Sequence, residues 1–427
     1  MLKERLPKYL WFAYAVAIST WTICIYCELG RIYRDHELFA KNVAGQTFVS
    51  DFAVFYNAAR LTKINCSERK LNVYSPKEQE LGLREVTAPV VPELPLLAIY
   101  PPYFFAMVAP LSLVPLNIAW FFWCFCGAVS ALAAIWYSSR SDCWRSFFSR
   151  YVLFVAIFAS FPCWLSFKLG QVSLFLPAGL TLFWYLIRQR RFALAGLVSV
   201  ACILKVQYLP MLAVAGLVRG RLRYVLGAGA TMLALLCLSY FVLGLDNMLS
   251  FPEAVRYNET AHAAGGVSPH MMQNFRGMLT LIVGEDNALV HMLSMGLFVL
   301  AFVCVGALWW SLRKHSVDSQ AFRLGAAATI IILLIASPHT HTQDYFALVP
   351  AAIWLWEGTA DDASKAAKWV RGLLLALPFL SWSFFMTQFI WFLLRLQPLL
   401  LWACVLLCLI FVLLRAACAR KSAVTCK

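Results

Sequence analysis

KYLWFAYAVAISTWTICIYCELG, Lys8 to Gly30, is an apolar run with a single acid, Glu28, near its end. A helix rises 1.5 Å per residue, so about 20 apolar residues span the ~30 Å hydrocarbon core of a bilayer. Lys3 and Arg5 stand before the run, and Lys8 opens it. It is longer than a signal-peptide core and shows no small-residue cleavage site, so it is expected to be an uncleaved first membrane span. The rest of the chain agrees. Of 427 residues, 62% are hydrophobic and 13% charged, and the mean hydropathy is +0.72. A soluble domain is about 45–50% apolar and roughly 25% charged. The expected fold class is therefore an all-α polytopic membrane protein.

About twelve spans are expected, near residues 9–29, 116–137, 151–167, 171–187, 192–205, 206–218, 224–243, 288–311, 323–337, 343–356, 369–390 and 398–414. Residues 192–218 read as one long span or two short ones. With the N-terminus in the cytoplasm, the connections on that side carry 22 of the 36 Lys and Arg residues. The short outer connections carry Lys168, Lys205 and Arg395. This is the positive-inside distribution, with both termini in the cytoplasm. It also explains the net charge of +15 without nucleic acid, which is not an expected partner. Most of the 14 Cys lie inside apolar segments, which excludes a disulfide framework; Cys24 and Cys27 read as small packing residues.

Two segments are too long to be turns, about 30–115 and 245–287, and both fall on the outer side. They hold most of the acidic residues, and long loops in membrane proteins as in soluble ones carry function. The first contains an amphipathic piece, Asp51–Leu61, with apolar positions Phe52, Phe55, Tyr56 and Ala59. It ends in an apolar stretch, Leu94 to Leu116, interrupted by five prolines and expected to be a re-entrant or interfacial helix. Asn65-Cys66-Ser67 and Asn258-Glu259-Thr260 fit the glycosylation sequon. The whole chain, 1–427, is expected to form a single membrane domain.

Polar residues near spans are costly, at about 2.5–3.5 kcal/mol for a charge at mid-bilayer. Those of this chain collect at the outer ends of the spans: Asp51, Lys168 with Gly170-Gln171, Lys205 with Gln207 and Tyr208, Asn274 with Arg276, and the run Ser337 to Tyr345. Convergence from separate parts of the chain at one depth points to a site open to the outer leaflet. A carboxylate there serves as a general base, and cations and histidines hold an anion such as a lipid phosphate. Plainer readings stand beside these. Asp51 follows Ser50 at a helix start and reads as an N-cap, a role compatible with catalysis. Lys205 reads equally as a snorkelling lysine, Lys168 as an interfacial anchor, and His339 and His341 with Asp344 as a phosphate, sugar or structural cluster, with metal the weakest reading.

These residues resemble the polytopic GT-C glycosyltransferases of the GT87 type, which include polyprenyl-phosphate-mannose-dependent mannosyltransferases. The landmarks are Ser50-Asp51-Phe52 with Tyr56 and Ala58-Ala59, Tyr74, Tyr100-Pro101-Pro102, Pro110-Leu111 and Val114-Pro115, then Gly170-Gln171, Ala195-Gly196 leading to Lys205 and Pro210, Arg219 to Arg223, and Ser337-Pro338. Their order and spacing agree over about residues 45 to 355. The resemblance implies a GT-C fold with short interfacial helices in the outer loops. It implies a polyprenyl-phosphate sugar as donor, mannose foremost, and a lipid or glycan acceptor on the outer face of a bacterial inner membrane. It implies inverting transfer with no cofactor and no metal. The family's acid maps onto Asp51 as general base. Lys205 maps onto a donor-phosphate contact, a role also expected of Arg276, His339 and His341. Tyr56, Tyr100, Gln171, Gln207, Asn274 and Asp344 are expected to contact substrate. Two stretches depart from the family: the run His339 to Asp344, and the second outer loop, where only Asn274 and Arg276 match. The main rival is a transporter or flippase, which would place its polar residues at mid-membrane on broken helices.

Overall fold

The computed structural model describes residues 8–34, 39–41, 47–68, 71–89, 92, 96–139, 147–201, 204–261, 269, 271–284 and 287–425. The order of elements is α1 (Lys8–Arg34), a hairpin of β1 (Phe39–Lys41) and β2 (Thr47–Val49), α2 (Asp51–Glu68), α3 (Pro76–Thr87), α4 (Pro102–Val108), α5 (Leu116–Ser138), α6 (Phe147–Phe158), α7 (Phe161–Leu169), α8 (Leu176–Arg188), α9 (Phe192–Ala201) and α10 (Leu209–Leu243). After it come α11 (Leu245–Ala261), α12 (Phe275–Val283), α13 (Ala288–Leu312), α14 (Gln320–Ala336), α15 (Val349–Thr359), α16 (Lys365–Met386), α17 (Gln388–Leu393) and α18 (Pro398–Thr425). Among the described residues the protein is thus all-α apart from a three-residue antiparallel pairing, Phe39 with Val49 to Lys41 with Thr47, and an isolated antiparallel bridge.

Among the described residues, six helices are long and apolar enough to cross a membrane, within α1, α5, α10, α13, α16 and α18. A seventh crossing exists if the pair α6 and α7, bent by 56°, counts as one. α8, α9, α14 and α15 were each expected to cross. At 13, 10, 17 and 11 residues they are shorter than a bilayer core requires. Two neighbouring helices show how burial is divided. α13 turns Leu289, Met292, Val299 and Val303 outward, whereas α14 buries every residue except Gln320 and Arg323. α13 therefore presents the surface expected of a lipid-facing helix, and α14 is the central pillar. The end of that pillar, Ser337, delivers the polar run that follows.

The basic turn expected near 219–223 is a break in α10. Helical geometry fails at Arg221, with φ 48° and ψ −135°. That left-handed φ is uncommon for a residue bearing a Cβ. Beyond the break α10 lies tightly on α9, where a Cβ on Gly227 would meet the Ala193 carbonyl oxygen and one on Gly196 the Tyr224 carbonyl oxygen. The weak stretch 192–218 is likewise divided, with α9 ending at Ala201 and helix resuming in a 3₁₀ turn at Val206–Tyr208.

α2 departs from a one-sided amphipathic helix. Phe52, Ala53, Val54, Phe55, Asn57, Ala58, Ala59, Leu61 and Thr62 are all buried, because α4, α5 and the following 3₁₀ turn at Ala109–Leu113 enclose it on several sides. Phe52 stacks on Trp120, with ring centroids 6.5 Å apart, and Phe55 meets Tyr100 and Phe104 edge-on at 5.2 Å each. The proline-rich stretch forms α4 and its 3₁₀ extension, with Pro101 before the helix and Pro102 at its first position, where a missing N–H costs nothing. Leu94 and Pro95 lie outside the described residues. So do Cys202 and the side chains of Glu259 and Thr260 in the second sequon. Asn65 of the first sequon is buried and donates to the Leu243 carbonyl at 3.1 Å, so the fold withdraws it from glycosylation.

Candidate active site

Helix ends build the site. Asp51 is the first residue of α2, one position past the N-cap expected of it. The first turn is closed by the Ser50 carbonyl, which accepts from the Ala53 amide at 3.1 Å. The Asp51 carboxylate is partly buried beside Gln171, Lys205, Asp344 and its own backbone amide. Burial pushes its pKa up to about 6, against the lowering effects of the Gln171 hydrogen bond and the Lys205 charge, while Asp344 adds to the rise.

Gly170 sets that geometry. It ends α7 in the left-handed region, with φ 62°, and its amide returns to the Phe167 carbonyl at 3.2 Å. A Cβ at this position would stand 2.6 Å from Cβ of Phe52. Only glycine permits both the turn and the contact. Because Phe52 adjoins Asp51 and Gln171 adjoins Gly170, this one contact sets amide against carboxylate. The Gln171 Oε1 atom is buried without a partner among the described residues.

Opposite stands a buried ion pair. Lys205 Nζ lies 2.6 Å from Asp344 Oδ1 and 2.8 Å from Oδ2. Asp344 has no exposed surface. It is the third residue of a 3₁₀ turn, Thr342–Leu348, that follows the Ser337-Pro338 break. Its carboxylate accepts from the His341 amide at 3.0 Å and from the Ser173 hydroxyl. Asp344, expected to touch substrate, has its oxygens engaged by Lys205, Ser173 and the His341 amide. Tyr100 packs on Phe104, with centroids 4.3 Å apart, near both Asp51 and Asp344; burial, reinforced by these carboxylates, keeps its hydroxyl protonated.

The second long segment joins the site through its backbone. Met272 and His341 form an antiparallel bridge. The Gln273 amide donates to Thr340 O at 3.1 Å, and the Thr342 amide to Met271 O at 3.0 Å. Asn274 caps α12 by accepting from the Gly277 amide at 2.8 Å, and its own amide donates to Ser337 O at 2.8 Å. This leads Arg276, which is 2% exposed, to His339, with Nη1 and Nε2 3.1 Å apart. His341 is pulled down to about 4, by burial first and then by Lys205, His339 and Arg276, with Asp344 opposing. At neutral pH its imidazole is uncharged, so it offers a hydrogen bond and no charge.

Of the expected residues, Asp51, Tyr100, Gln171, Lys205, Arg276, His339, His341 and Asp344 form a connected cluster. Gln207 supports it by donating to His339 O at 3.3 Å. Asn274 has the structural role just described. Tyr56 stands apart, its hydroxyl donating to Val114 O at 2.8 Å. Lys168 lies over the Trp164 ring, 5.0 Å from its centroid. Sequence reasoning missed Ser173 and Gln273, and named Thr340 and Tyr345 only as members of the run Ser337 to Tyr345. Tyr345 donates to Gln273 O at 2.7 Å, and Thr340 meets the Tyr208 hydroxyl at 3.3 Å. Ser173 had a usable signal, as a hydroxyl within an apolar stretch that must find a partner. Among the described residues, no group of three or more His, Cys, Asp or Glu is arranged to hold a metal ion.

Asp51, Lys205, Arg276 and Asp344 are thus drawn together from separate parts of a chain with several membrane-spanning helices, and comparison with known proteins defines its class as a multi-pass membrane glycosyltransferase. The chain belongs to glycosyltransferase family 87, whose model matches residues 98–338, more than half of its length. It is also similar to the polyprenol-phosphate-mannose-dependent alpha-(1-2)-phosphatidylinositol pentamannoside mannosyltransferase of Mycolicibacterium smegmatis, being 26% identical over 312 residues, 69% of this chain and 70% of that protein. No solved structure matches the chain. The family match begins after Asp51 and stops just before His339, so the geometry, independently of that match, ties both ends of the site to it.

Proposed function

We propose that the protein transfers mannose from a polyprenyl-phosphate donor to a glycolipid acceptor, with inversion at the anomeric carbon and Asp51 as general base. The observation that carries this reading is the Asp51 carboxylate, partly buried beside Gln171 and close to the Lys205–Asp344 pair. A base with a pKa near 6 is ionised at neutral pH yet holds a proton better than an ordinary aspartate. The acceptor oxygen forms its bond to the anomeric carbon on the face opposite the phosphate. Its proton passes to Asp51. The bond between the anomeric carbon and the phosphate oxygen breaks, and its electron pair leaves with polyprenyl phosphate. Lys205 and Arg276 offset the charge that grows on the leaving phosphate, and His339 and neutral His341 supply hydrogen bonds.

The donor class draws support from the mannosyltransferase relative, whose name states dependence on polyprenol-phosphate mannose. The distribution of Lys and Arg along the chain supports an outer-face site with both termini in the cytoplasm. The deciding experiment is transfer in proteoliposomes, with a panel of polyprenyl-phosphate sugars and phosphatidylinositol mannoside acceptors. Mannose is expected to be the sugar transferred. A folded Asp51→Asn variant that transfers at near wild-type rate would sink the base assignment.

A further inference from the structure

A bare lysine beside a general base is a poor arrangement, because its charge favours the ionised carboxylate and weakens it as a proton acceptor. Lys205 is not bare. Its ammonium is bound to both oxygens of Asp344, at 2.6 and 2.8 Å, in a place where Asp344 is fully buried and Lys205 nearly so. Asp344 is itself fixed by the Ser173 hydroxyl and the His341 amide, from two different parts of the chain. Isolated buried ion pairs contribute little to stability, which leaves a reason in function for placing one here.

Resting on the reading of Asp51 as base, we propose that Asp344 is a positioning residue that holds the Lys205 ammonium toward the site and offsets part of its charge at Asp51, so that Asp51 remains able to take a proton. Lys205 and Asp344 are both felt at Asp51, with opposite signs. The other groups facing this assembly are Gln171 and Tyr100 beside Asp51, Tyr208 and Tyr345 beside Asp344, and His341, His339 and Arg276 beyond the pair. When donor phosphate arrives, the held ammonium still has one N–H donor to offer, since a lysine carries three and Asp344 takes two. The arrangement thus separates two demands on one lysine, binding an anion and leaving the neighbouring acid basic.

The test reads the titration of Asp51 without needing a substrate. Full-length protein in proteoliposomes is treated with dicyclohexylcarbodiimide, which attacks protonated carboxyls in apolar surroundings, over a series of pH values. Modification of Asp51 is measured by peptide mass spectrometry. Wild type is expected to be half-labelled at about pH 6. Asp344→Asn, which unmasks the Lys205 charge, is expected to lower that midpoint by about one unit. Lys205→Met is expected to raise it, and Lys205→Met with Asp344→Asn to return it close to wild type. An unchanged or raised midpoint in Asp344→Asn overturns the proposal. If that variant does not fold, the comparison of Lys205→Met with the double variant decides, since it removes the Asp344 charge alone; no fall in midpoint overturns the proposal equally. A shifted midpoint accompanied by full transfer in Asp51→Asn would instead remove the base role of Asp51 and leave the charge offset standing.

Discussion

The two sides of the site are built by different means. The Asp51 side is held by packing. Gly170 presses on Phe52, Phe52 stacks on Trp120, and the carboxylate has a neutral amide at its side. The Arg276 side is held by backbone pairing between residues 271–273 and 340–342, with Asn274 clamping Ser337. Packing keeps one acid in low-dielectric surroundings and so raises its affinity for a proton. Backbone pairing gives exact register, which sets the Arg276 guanidinium against the His339 imidazole. The difference teaches that the proton-handling and anion-handling halves can be broken separately.

The largest break is expected on the packed side. Asp51→Asn should lower the turnover rate roughly 10²–10⁴-fold with little change in donor affinity, measured by steady-state transfer and by donor binding. Acid does the same to wild type. A base must be ionised to act, so each pH unit below about 6 should lower the rate about tenfold, with a plateau above, and a stopped transfer assay from pH 4 upward checks it. On the paired side, Arg276→Ala should raise the donor KM by about ten- to a hundredfold, from the loss of a charged hydrogen bond of roughly 1.5–3 kcal/mol, and should leave the pH midpoint near that of wild type. Two smaller effects concern the frame. Gly170→Ala forces a strained φ and a clash with Phe52, at a cost of about 1–3 kcal/mol, visible as earlier thermal unfolding together with slower transfer. Tyr56→Phe removes one hydrogen bond to Val114, costs about 1 kcal/mol and should leave the transfer rate unchanged, which would mark Tyr56 as frame and not site.

Much of this was legible along the chain. The apolar runs became helices near the expected places, because a bilayer leaves the backbone no other partner for its N–H and C=O groups. The gathering of Asp51, Gln171, Lys205 and the His339 to Asp344 run was also legible, since polar groups at span ends need a common reason. The lengths of the shorter helices were not. α8, α14 and α15 are apolar mainly because protein buries them, while α9 leaves Leu194 and Leu197 exposed, and hydropathy registers burial by protein and burial by lipid alike. Nor was the amphipathic reading of α2 sufficient, because loop helices packed from above added a second buried face. The partners within the site were also hidden. Nothing in the spacing of Ser173, Lys205 and Asp344, which are far apart in sequence, says that they share one carboxylate.

By itself, then, the amino-acid sequence determined the solvent of this protein, its helical class and the set of residues worth suspecting, because those follow from transfer energies and helix periodicity acting locally. Tertiary structure decided which suspects meet. It joined Asp344 to Lys205, left His341 a neutral imidazole, and tied the Tyr56 hydroxyl to the Val114 carbonyl. Pairing and pKa depend on what stands a few ångströms away in space, and that distance is set by how helices from separate parts of the chain pack.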